Sequence, residues 1–190
     1  MVDTRWLYTG LLSLMVVERL VELMISRRNQ RWLVARGAIE VGQEHYSWMV
    51  VQHGLFLASC LVEVWWLERP FYRTLALSML GVLTVSMALR YWVIATLGRR
   101  WTTRVLCLPG KPVVTAGPFR FLRHPNYLAV ILEIFALPMV HTAGLTALVF
   151  SLANGLLLRR RVRVEEEGLR LFNDFDGQFR RAQSEGATKR

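Results

Sequence analysis

Residues 127–158 read YLAVILEIFALPMVHTAGLTALVFSLANGLLL, an apolar run with one acidic residue, Glu133. A membrane-spanning helix needs about 20 consecutive apolar residues, so the run is too long for a single crossing. Pro138 and Gly144 lie near its middle, where a turn needs residues that end a helix. The run therefore predicts a hairpin of two short helices inside a membrane.

Three further apolar segments precede the hairpin, at residues 6–25, 48–67 and 71–97. Each is long enough to cross a bilayer as a helix. With the two arms of the hairpin they predict an all-α integral membrane protein of about five transmembrane helices. We expect one membrane domain over residues 1–190.

Two polar regions complete this organisation. A long loop covers residues 98–125, and a polar C-terminal helix is expected at residues 159–182. Residues 183–190 are polar and poor in apolar anchors, so we expect a disordered tail.

The positive charges predict the orientation. The chain is 53% hydrophobic with a net charge of +10, and most of its 24 Lys and Arg lie in residues 27–44, 98–125 and 159–190. Cytoplasmic loops carry such an excess, so the N-terminus is predicted outside and the C-terminus in the cytoplasm. Basic blocks that alternate with apolar runs disfavour nucleic-acid binding. The Arg-rich composition is typical of GC-rich bacteria, and we expect a bacterial inner membrane.

The loop before the hairpin is specific in composition. It contains GPFRFLRHPNY at residues 117–127, and a short strand is predicted at residues 113–115. Pro125 suits the first turn of a helix, which puts His124 at a helix N-terminus, where a negative ligand group is favoured. Two interpretations remain open at this point. His124 and the arginines either form part of a ligand site or merely cap a helix and mark the cytoplasmic side.

A second charged segment follows the last crossing. Arg161 and Glu165 are four residues apart and share one face of a helix, with Glu166 beside them. Both charged segments are expected at the same membrane face. They can therefore form one pocket around a polar, zwitterionic ligand.

The motifs VVTAGPFRFLRHPNY at residues 113–127 and RVRVEEEGL at residues 161–169 resemble the paired signature of the isoprenylcysteine carboxyl methyltransferase family. The resemblance implies an integral-membrane enzyme that uses S-adenosylmethionine. It also implies an arginine, Arg161, near the acceptor. The cofactor residues that it implies are Val114, Thr115, Ala116, Gly117, Arg123, His124, Tyr127, Glu165 and Glu166.

The motifs RGAIEVGQEHYSWMV at residues 36–50 and GRRWTTRVLCLPG at residues 98–110 are similar to a bacterial branch of that family. The branch is associated with type III polyketide synthases and methylates hydroxyls of long-chain alkylresorcinols and alkylpyrones. The resemblance implies a lipophilic acceptor and a polyketide synthase as a pathway partner. Carboxyl methylation of a prenylcysteine-like lipid is the alternative. The residues that we expect to border the acceptor are His45, Tyr46, His53 and Asn126.

Glu133 is the candidate general base for a hydroxyl acceptor. It shares a helix face with Asn126, and a carboxylate in a membrane helix is often functional. The alternative is a structural role in which Glu133 locks helices together. We expect structural pairing for the other intramembrane charges, which are Glu18, Arg19, Glu22, Glu63 and Arg90.

Two other classes of protein compete with an enzyme. A small transporter would keep its polar residues near the middle of several helices, whereas here they concentrate at one face. A structural scaffold would not need the paired His-Pro and Arg-Glu segments. Cys60 and Cys107 lack the spacing of metal ligands, so no metal site is expected.

Overall fold

A computed structural model describes residues 3–173, apart from the side chains of Glu44 and His45. This part of the chain folds into five α-helices and two short strands. The elements are α1 (Thr4–Val34), β1 (Ile39–Val41), α2 (Glu44–Trp66), α3 (Arg73–Leu97), β2 (Val105–Cys107), α4 (Pro125–Met139) and α5 (Gly144–Asn173). The fold is mostly helical, as predicted, but the pair of strands was not predicted.

The helices pack in a bundle around α4. This helix lies between α3 and α5, and α5 in turn packs on α2. Four helices contribute to one core, which includes Leu12, Phe56, Leu83 and Leu137, each at most 5% exposed. Burying each of these side chains contributes about 1.5 to 3 kcal/mol, so the core holds the bundle together.

The outer surface of the bundle is apolar. Large side chains that are 64–68% exposed occur on α1, α2 and α5: Leu14, Trp48, Leu152 and Leu156. Within residues 3–173, the helices Tyr46–Trp66 and Arg73–Arg100 are long and apolar enough to cross a membrane, and Pro125–Met139 is shorter but also apolar. Soluble proteins rarely expose so much apolar surface, so this exterior suits contact with lipid. The total of five crossings and the orientation stay predictions.

The hairpin forms where it was predicted, but its second arm is not short. Helix α4 ends at Met139, and α5 begins at Gly144 and runs for 30 residues. No proline interrupts α5, so the predicted C-terminal helix from residue 159 continues the second arm without a break. The predicted end of that helix at residue 182, and the tail at residues 183–190, lie outside the described residues.

Glu63 of α2 caps the N-terminus of α5. Its two carboxylate oxygens accept hydrogen bonds from the backbone N–H groups of Leu145 at 3.1 Å and Thr146 at 2.6 Å. Arg69 completes the arrangement with an ion pair to Glu63 at 2.6 Å. The first N–H groups of any helix lack acceptors within the helix, and the Glu63 carboxylate supplies two acceptors here. Glu63 thus has the structural role that we expected, but its partner is Arg69 and not another of the intramembrane charges.

One strand lies in the loop between α1 and α2 and the other in the loop between α3 and α4, and the two pair as an antiparallel ribbon. Ile39 lies opposite Cys107, and Val41 lies opposite Val105. The ribbon packs on α5 at Gly168, where an added Cβ would lie 3.0 Å from Cγ2 of Val41 and 3.1 Å from Sγ of Cys107. The strand predicted at residues 113–115 is wrong, because that segment is irregular and the pairing partner β1 lies beside residues 105–107.

Candidate active site

A cavity of about 180 Å³ opens at the end of the bundle that carries the ribbon. It is enclosed by the loop after α3, the start of α4 and the second half of α5. Many of the residues expected in the site line it: Val114, Arg123, His124, Asn126, Tyr127, Arg161 and Glu165. The fold thus brings the two charged segments of the sequence to one cavity.

Tyr127, Arg161 and Glu165 meet inside this cavity. The Tyr127 hydroxyl accepts a hydrogen bond from Nε of Arg161 at 2.9 Å and donates one to the Glu165 carboxylate. Arg161 and Glu165 reach the same oxygen because they lie one helical turn apart on α5. The phenol therefore holds a cation and an anion in fixed positions.

Arg161 carries a positive charge that no described carboxylate balances directly. Its remaining donors reach the backbone oxygen of Thr103 at 2.5 Å and Sδ of Met49 at 2.8 Å. A thioether is a weak hydrogen-bond acceptor, so the donor that faces Met49 is poorly satisfied. An oxygen atom of a ligand would be a stronger partner for this donor.

His124 and Glu166 form a second pair at the cavity. Nε2 of His124 lies 3.0 Å from Oε1 of Glu166, and the imidazole stacks on the Tyr127 ring with a centroid distance of 5.4 Å. The Glu166 carboxylate also binds Arg170 at 3.1 Å. His124 occupies the N-cap position of α4, but its side chain makes no capping hydrogen bond. The His124 side chain therefore does not cap the helix, while its part in a ligand site stays a prediction.

The cavity suits a ligand that carries both a positive and a negative charge. Cationic side chains line it beside the Glu165 carboxylate, namely Arg100, Arg104, Lys111, Arg123 and Arg161. Oδ1 of Asn126 is buried at the lining and accepts no hydrogen bond from any residue within 3–173. A buried amide oxygen without a donor indicates a missing partner, and an ammonium or hydroxyl group of a ligand would supply it.

The sequence analysis missed several residues of the lining. They come from the segment after α3 and include Trp101, Thr102, Leu106, Cys107, Leu108 and Pro112. Burial raises the pKa of the Cys107 thiol to about 11, and the Glu165 carboxylate adds to this effect. The sequence signal that could have found them is the apolar run VLCL, which lies within the charged loop just ahead of the Pro109–Gly110 turn.

Four expected cofactor residues lie outside the lining: Glu166, which pairs with the lining residue His124, and three consecutive residues of the loop before α4. The three loop residues are Thr115, Ala116 and Gly117, which form the approach to a short 3₁₀ turn. Gly117 has a φ angle of +59°, and a Cβ there would lie 2.4 Å from Oγ1 of Thr96. The glycine is required for close packing on α3. A contact between this backbone and the cofactor stays a prediction.

The three residues of α2 that we expected to border the methyl acceptor do not share one pocket. Tyr46 lines a small neighbouring cavity, of about 10 Å³, together with Arg104 and Arg161. His53 lines neither cavity, and its Nδ1 lies 2.9 Å from the backbone oxygen of Met49. The side chain of His45 lies outside the described part of the chain.

Glu133 lies deeper in the bundle and does not line the cavity. Its carboxylate binds Arg90 directly and Arg19 at 3.3 Å, and Arg90 and Arg19 both reach Glu22. We call Glu18, Arg19, Glu22, Arg90 and Glu133 the buried charge cluster. These contacts support the structural alternative for Glu133, while its role as a base stays a prediction.

Comparison with known proteins identifies the group to which the chain belongs. Residues 79–171 match the family model described as the isoprenylcysteine carboxyl methyltransferase (ICMT) family. The chain is 33% identical over 172 residues to the uncharacterized protein YpbQ of Bacillus subtilis (strain 168), covering 86% of this chain and 96% of that protein. The chain belongs to the ICMT family. An uncharacterized protein of Haemophilus influenzae is 30% identical over 152 residues, covering 80% of this chain and 88% of its own length.

ICMT family membership makes this chain a membrane methyltransferase. The family's enzymes are embedded in membranes and use S-adenosylmethionine as the methyl donor. The matched region includes α4, most of α5 and the loop between α3 and α4, which together form nearly all of the cavity. Tyr46 and the strand β1 lie outside the matched region.

Proposed function

We propose that the protein is an S-adenosylmethionine-dependent O-methyltransferase that methylates an oxygen atom of a lipophilic acceptor. One observation carries this proposal. The Arg161 guanidinium faces a cavity lined by both charges, has no ion pair with a described carboxylate, and belongs to a bundle with an apolar exterior. Arg161 is the catalytic residue that binds the acceptor oxygen.

The charged lining supports binding of the cofactor. Glu165, and Glu166 through His124, would hold the positive groups of S-adenosylmethionine, while Arg123 would bind its carboxylate. Asn126 would gain the hydrogen bond that its buried oxygen lacks. Val114 and the backbone of residues 115–117 would hold the adenosyl part.

The bound cofactor supplies a methyl group on a sulfonium, which already has a good leaving group. The chain therefore has to align the acceptor oxygen with that methyl group and to exclude water. Tyr127 supports the alignment, because it fixes Arg161 and Glu165 relative to each other. The ribbon and the loop after α3 cover the cavity and limit access of water.

The acceptor that we propose first is the hydroxyl of a long-chain alkylresorcinol or alkylpyrone, made by a type III polyketide synthase. The similarity of residues 36–50 and 98–110 to that branch supports it. Its ring would lie beside Arg161, with Tyr46, His45, His53 and Asn126 bordering it, and its tail would run into the bilayer. Glu133 is the base proposed from the sequence.

A carboxylate acceptor is the second candidate. A guanidinium without a carboxylate partner, as in Arg161, is suited to binding a carboxylate. The ICMT family description names carboxyl methylation of an isoprenylcysteine. A carboxylate acceptor needs no general base, which separates the two candidates chemically.

Methyl transfer by the purified protein in lipid nanodiscs tests this proposal. The protein should bind S-adenosylmethionine in calorimetry and transfer labelled methyl to 5-pentadecylresorcinol more readily than to an S-farnesylcysteine derivative. Arg161→Ala should abolish transfer, whereas Arg163→Ala, at an exposed position of the same helix, should not. Absence of cofactor binding by folded protein would refute the proposal. Methylation of the carboxylate alone would select the second candidate.

We also propose that the cavity faces the cytoplasm of a bacterial cell. Single cysteines introduced at positions 30 and 105, in a variant without native cysteines, should react with a membrane-impermeant reagent only after the cells are opened. Cysteines at positions 70 and 142 should react in intact cells. Labelling of position 105 in intact cells would reverse the orientation.

A further inference from the structure

The inner face of α1 changes character along its length. Its buried residues are Tyr8, Leu12 and Met15 in the first half, whereas the polar residues Glu22, Ser26 and Asn29 follow in the second, ahead of Leu33 at the end of the helix. Each of these three polar residues is at most 5% exposed. Asn29 donates hydrogen bonds to the backbone oxygens of Gly98 and Trp101, which ties this face of α1 to the loop that covers the cavity.

Three hydroxyl groups connect the active site with this polar face. The Tyr46 hydroxyl, in the small cavity beside Arg161, lies 3.4 Å from Oγ1 of Thr103. Oγ1 of Thr103 lies 2.9 Å from Oγ of Ser26, which is 2% exposed. Glu22 precedes Ser26 by one helical turn on α1, and this spacing places the two side chains on the same face of the helix. The chain of hydroxyls thus leads from the active site to a buried carboxylate.

The Glu22 carboxylate is only partly satisfied. Its Oε2 binds Arg19 at 2.6 Å and lies 3.7 Å from Arg90, but its Oε1 is buried and has no hydrogen-bond partner among the described residues. The buried charge cluster contains three carboxylates and two guanidinium groups, which leaves one negative charge unbalanced. The charged and titratable groups in and around the buried charge cluster, besides Glu22, are Glu18 and Arg19 on α1, His53 on α2, Arg90 and Tyr91 on α3, and Glu133 on α4.

We propose that Glu22, and not Glu133, accepts the proton that a hydroxyl acceptor releases during methylation, through the hydroxyls of Tyr46, Thr103 and Ser26. This inference rests on the proposed hydroxyl acceptor. As the acceptor oxygen forms its bond to the methyl carbon, the carbon–sulfur bond of the cofactor breaks and the oxygen loses its proton. Each hydroxyl passes on one proton and receives one. Ser26 and Glu22 are not hydrogen-bonded to each other, so a bridging water would have to complete the path between them. Glu22 becomes a neutral carboxylic acid, and the charge of the cluster is then balanced.

Infrared difference spectroscopy of the protein in nanodiscs tests the proton site without any acceptor. Lowering the pH from neutral to mildly acidic should produce the carbonyl band of a buried carboxylic acid, which shifts in heavy water. The band should be absent in Glu22→Gln and present in Glu68→Gln, whose carboxylate is 79% exposed at the opposite end of the bundle. A band that persists in Glu22→Gln, or that the native protein lacks, overturns the proposal.

Steady-state kinetics test the hydroxyl chain. Ser26→Ala should lower kcat for 5-pentadecylresorcinol by about 10- to 100-fold at neutral pH, and the loss should shrink as the phenol ionises at higher pH. Ser26→Thr, which retains a hydroxyl, should recover the rate. Methylation of a carboxylate by the same variants should be unchanged, because a carboxylate releases no proton.

The two experiments separate this inference from the proposed function. An unchanged rate of phenol methylation in Ser26→Ala overturns the role of the hydroxyl chain. If the native protein methylates only the carboxylate, the hydroxyl acceptor is wrong and the inference falls with it, whereas the infrared band still decides whether Glu22 holds a proton.

Discussion

Arg161 donates a hydrogen bond from Nε to the phenolic oxygen of Tyr127 at 2.9 Å, although the two residues belong to different helices. The same oxygen donates to Glu165, so one hydroxyl group sets the positions of a cation and an anion across the cavity. The guanidinium that we assign to the acceptor is therefore oriented by a residue of α4. We therefore expect the Tyr127 hydroxyl to be as important for methyl transfer as the charges of Arg161 and Glu165 that it joins.

Removing that hydroxyl should impair methyl transfer. In Tyr127→Phe we expect kcat/KM to fall by about 10- to 100-fold, because a hydrogen bond to a charged group contributes about 1.5 to 3 kcal/mol. Arg161→Lys should show a similar loss, since an ammonium cannot reproduce the planar set of donors. Tyr72→Phe is the control, because Tyr72 is 59% exposed. Equal activity of Tyr127→Phe and Tyr72→Phe would contradict this role.

The pair His124 and Glu166 should affect binding of the cofactor. His124→Ala and Glu166→Ala should each weaken S-adenosylmethionine about tenfold in calorimetry, because each removes one partner of a charge-assisted contact. Glu167→Ala, at the neighbouring exposed position, should leave the affinity unchanged. If all three variants bind equally well, the cofactor does not contact this pair.

We expect Glu133 to contribute mainly to the stability of the fold. Glu133→Leu leaves Arg90, which is 4% exposed, without its nearest carboxylate, and should lower the free energy of unfolding by about 3 to 5 kcal/mol. The double variant Arg90→Met/Glu133→Leu removes both charges and should recover most of that loss in thermal unfolding. A stable Glu133→Leu protein that has lost only phenol methylation would instead support the role of Glu133 as a base.

The sequence predicted the features that depend on local signals. Pro138 and Gly144 marked the hairpin, and the spacing of Arg161 and Glu165 placed both side chains on one face. The ribbon was missed because the strand Ile39–Val41 is only three residues long, too short for a clear strand pattern, and it pairs with a segment more than 60 positions away. The cap by Glu63 was missed for the same reason, since it depends on how α2 packs against α5.

The contact between the ribbon and α5 should be sensitive to one methyl group. Gly168→Ala places a Cβ against Val41 and Cys107, and should destabilise the protein by about 1 to 3 kcal/mol while weakening cofactor binding. Gly155→Ala, on the same helix, meets no atom within 4 Å and should stabilise the protein by up to about 1 kcal/mol. Equal thermal stability of the two variants would show that the ribbon moves aside at little cost.

Cys107 should report on occupancy of the cavity. Because burial raises its pKa to about 11, the thiol is neutral at physiological pH, and alkylation should be slow and rise about tenfold per pH unit up to that value. The raised pKa favours the fold while the thiol is neutral, so this contribution is lost as the pH rises above the ordinary thiol pKa. In a Cys60→Ala background, S-adenosylhomocysteine should slow the alkylation measured by mass spectrometry. Unchanged alkylation at saturating ligand would place the cofactor away from Cys107.

The cap that Glu63 provides has a consequence for biogenesis. Helix α5 is synthesised last among the described helices, and its first backbone N–H groups, which include those of Leu145 and Thr146, have no acceptor within the helix itself. They find their acceptor on α2, a helix that left the ribosome much earlier. We therefore expect docking of α5 to close the assembly of the bundle, and the same docking brings Arg161 and Glu165 to Tyr127. A nascent chain acquires its catalytic centre only when its insertion is complete.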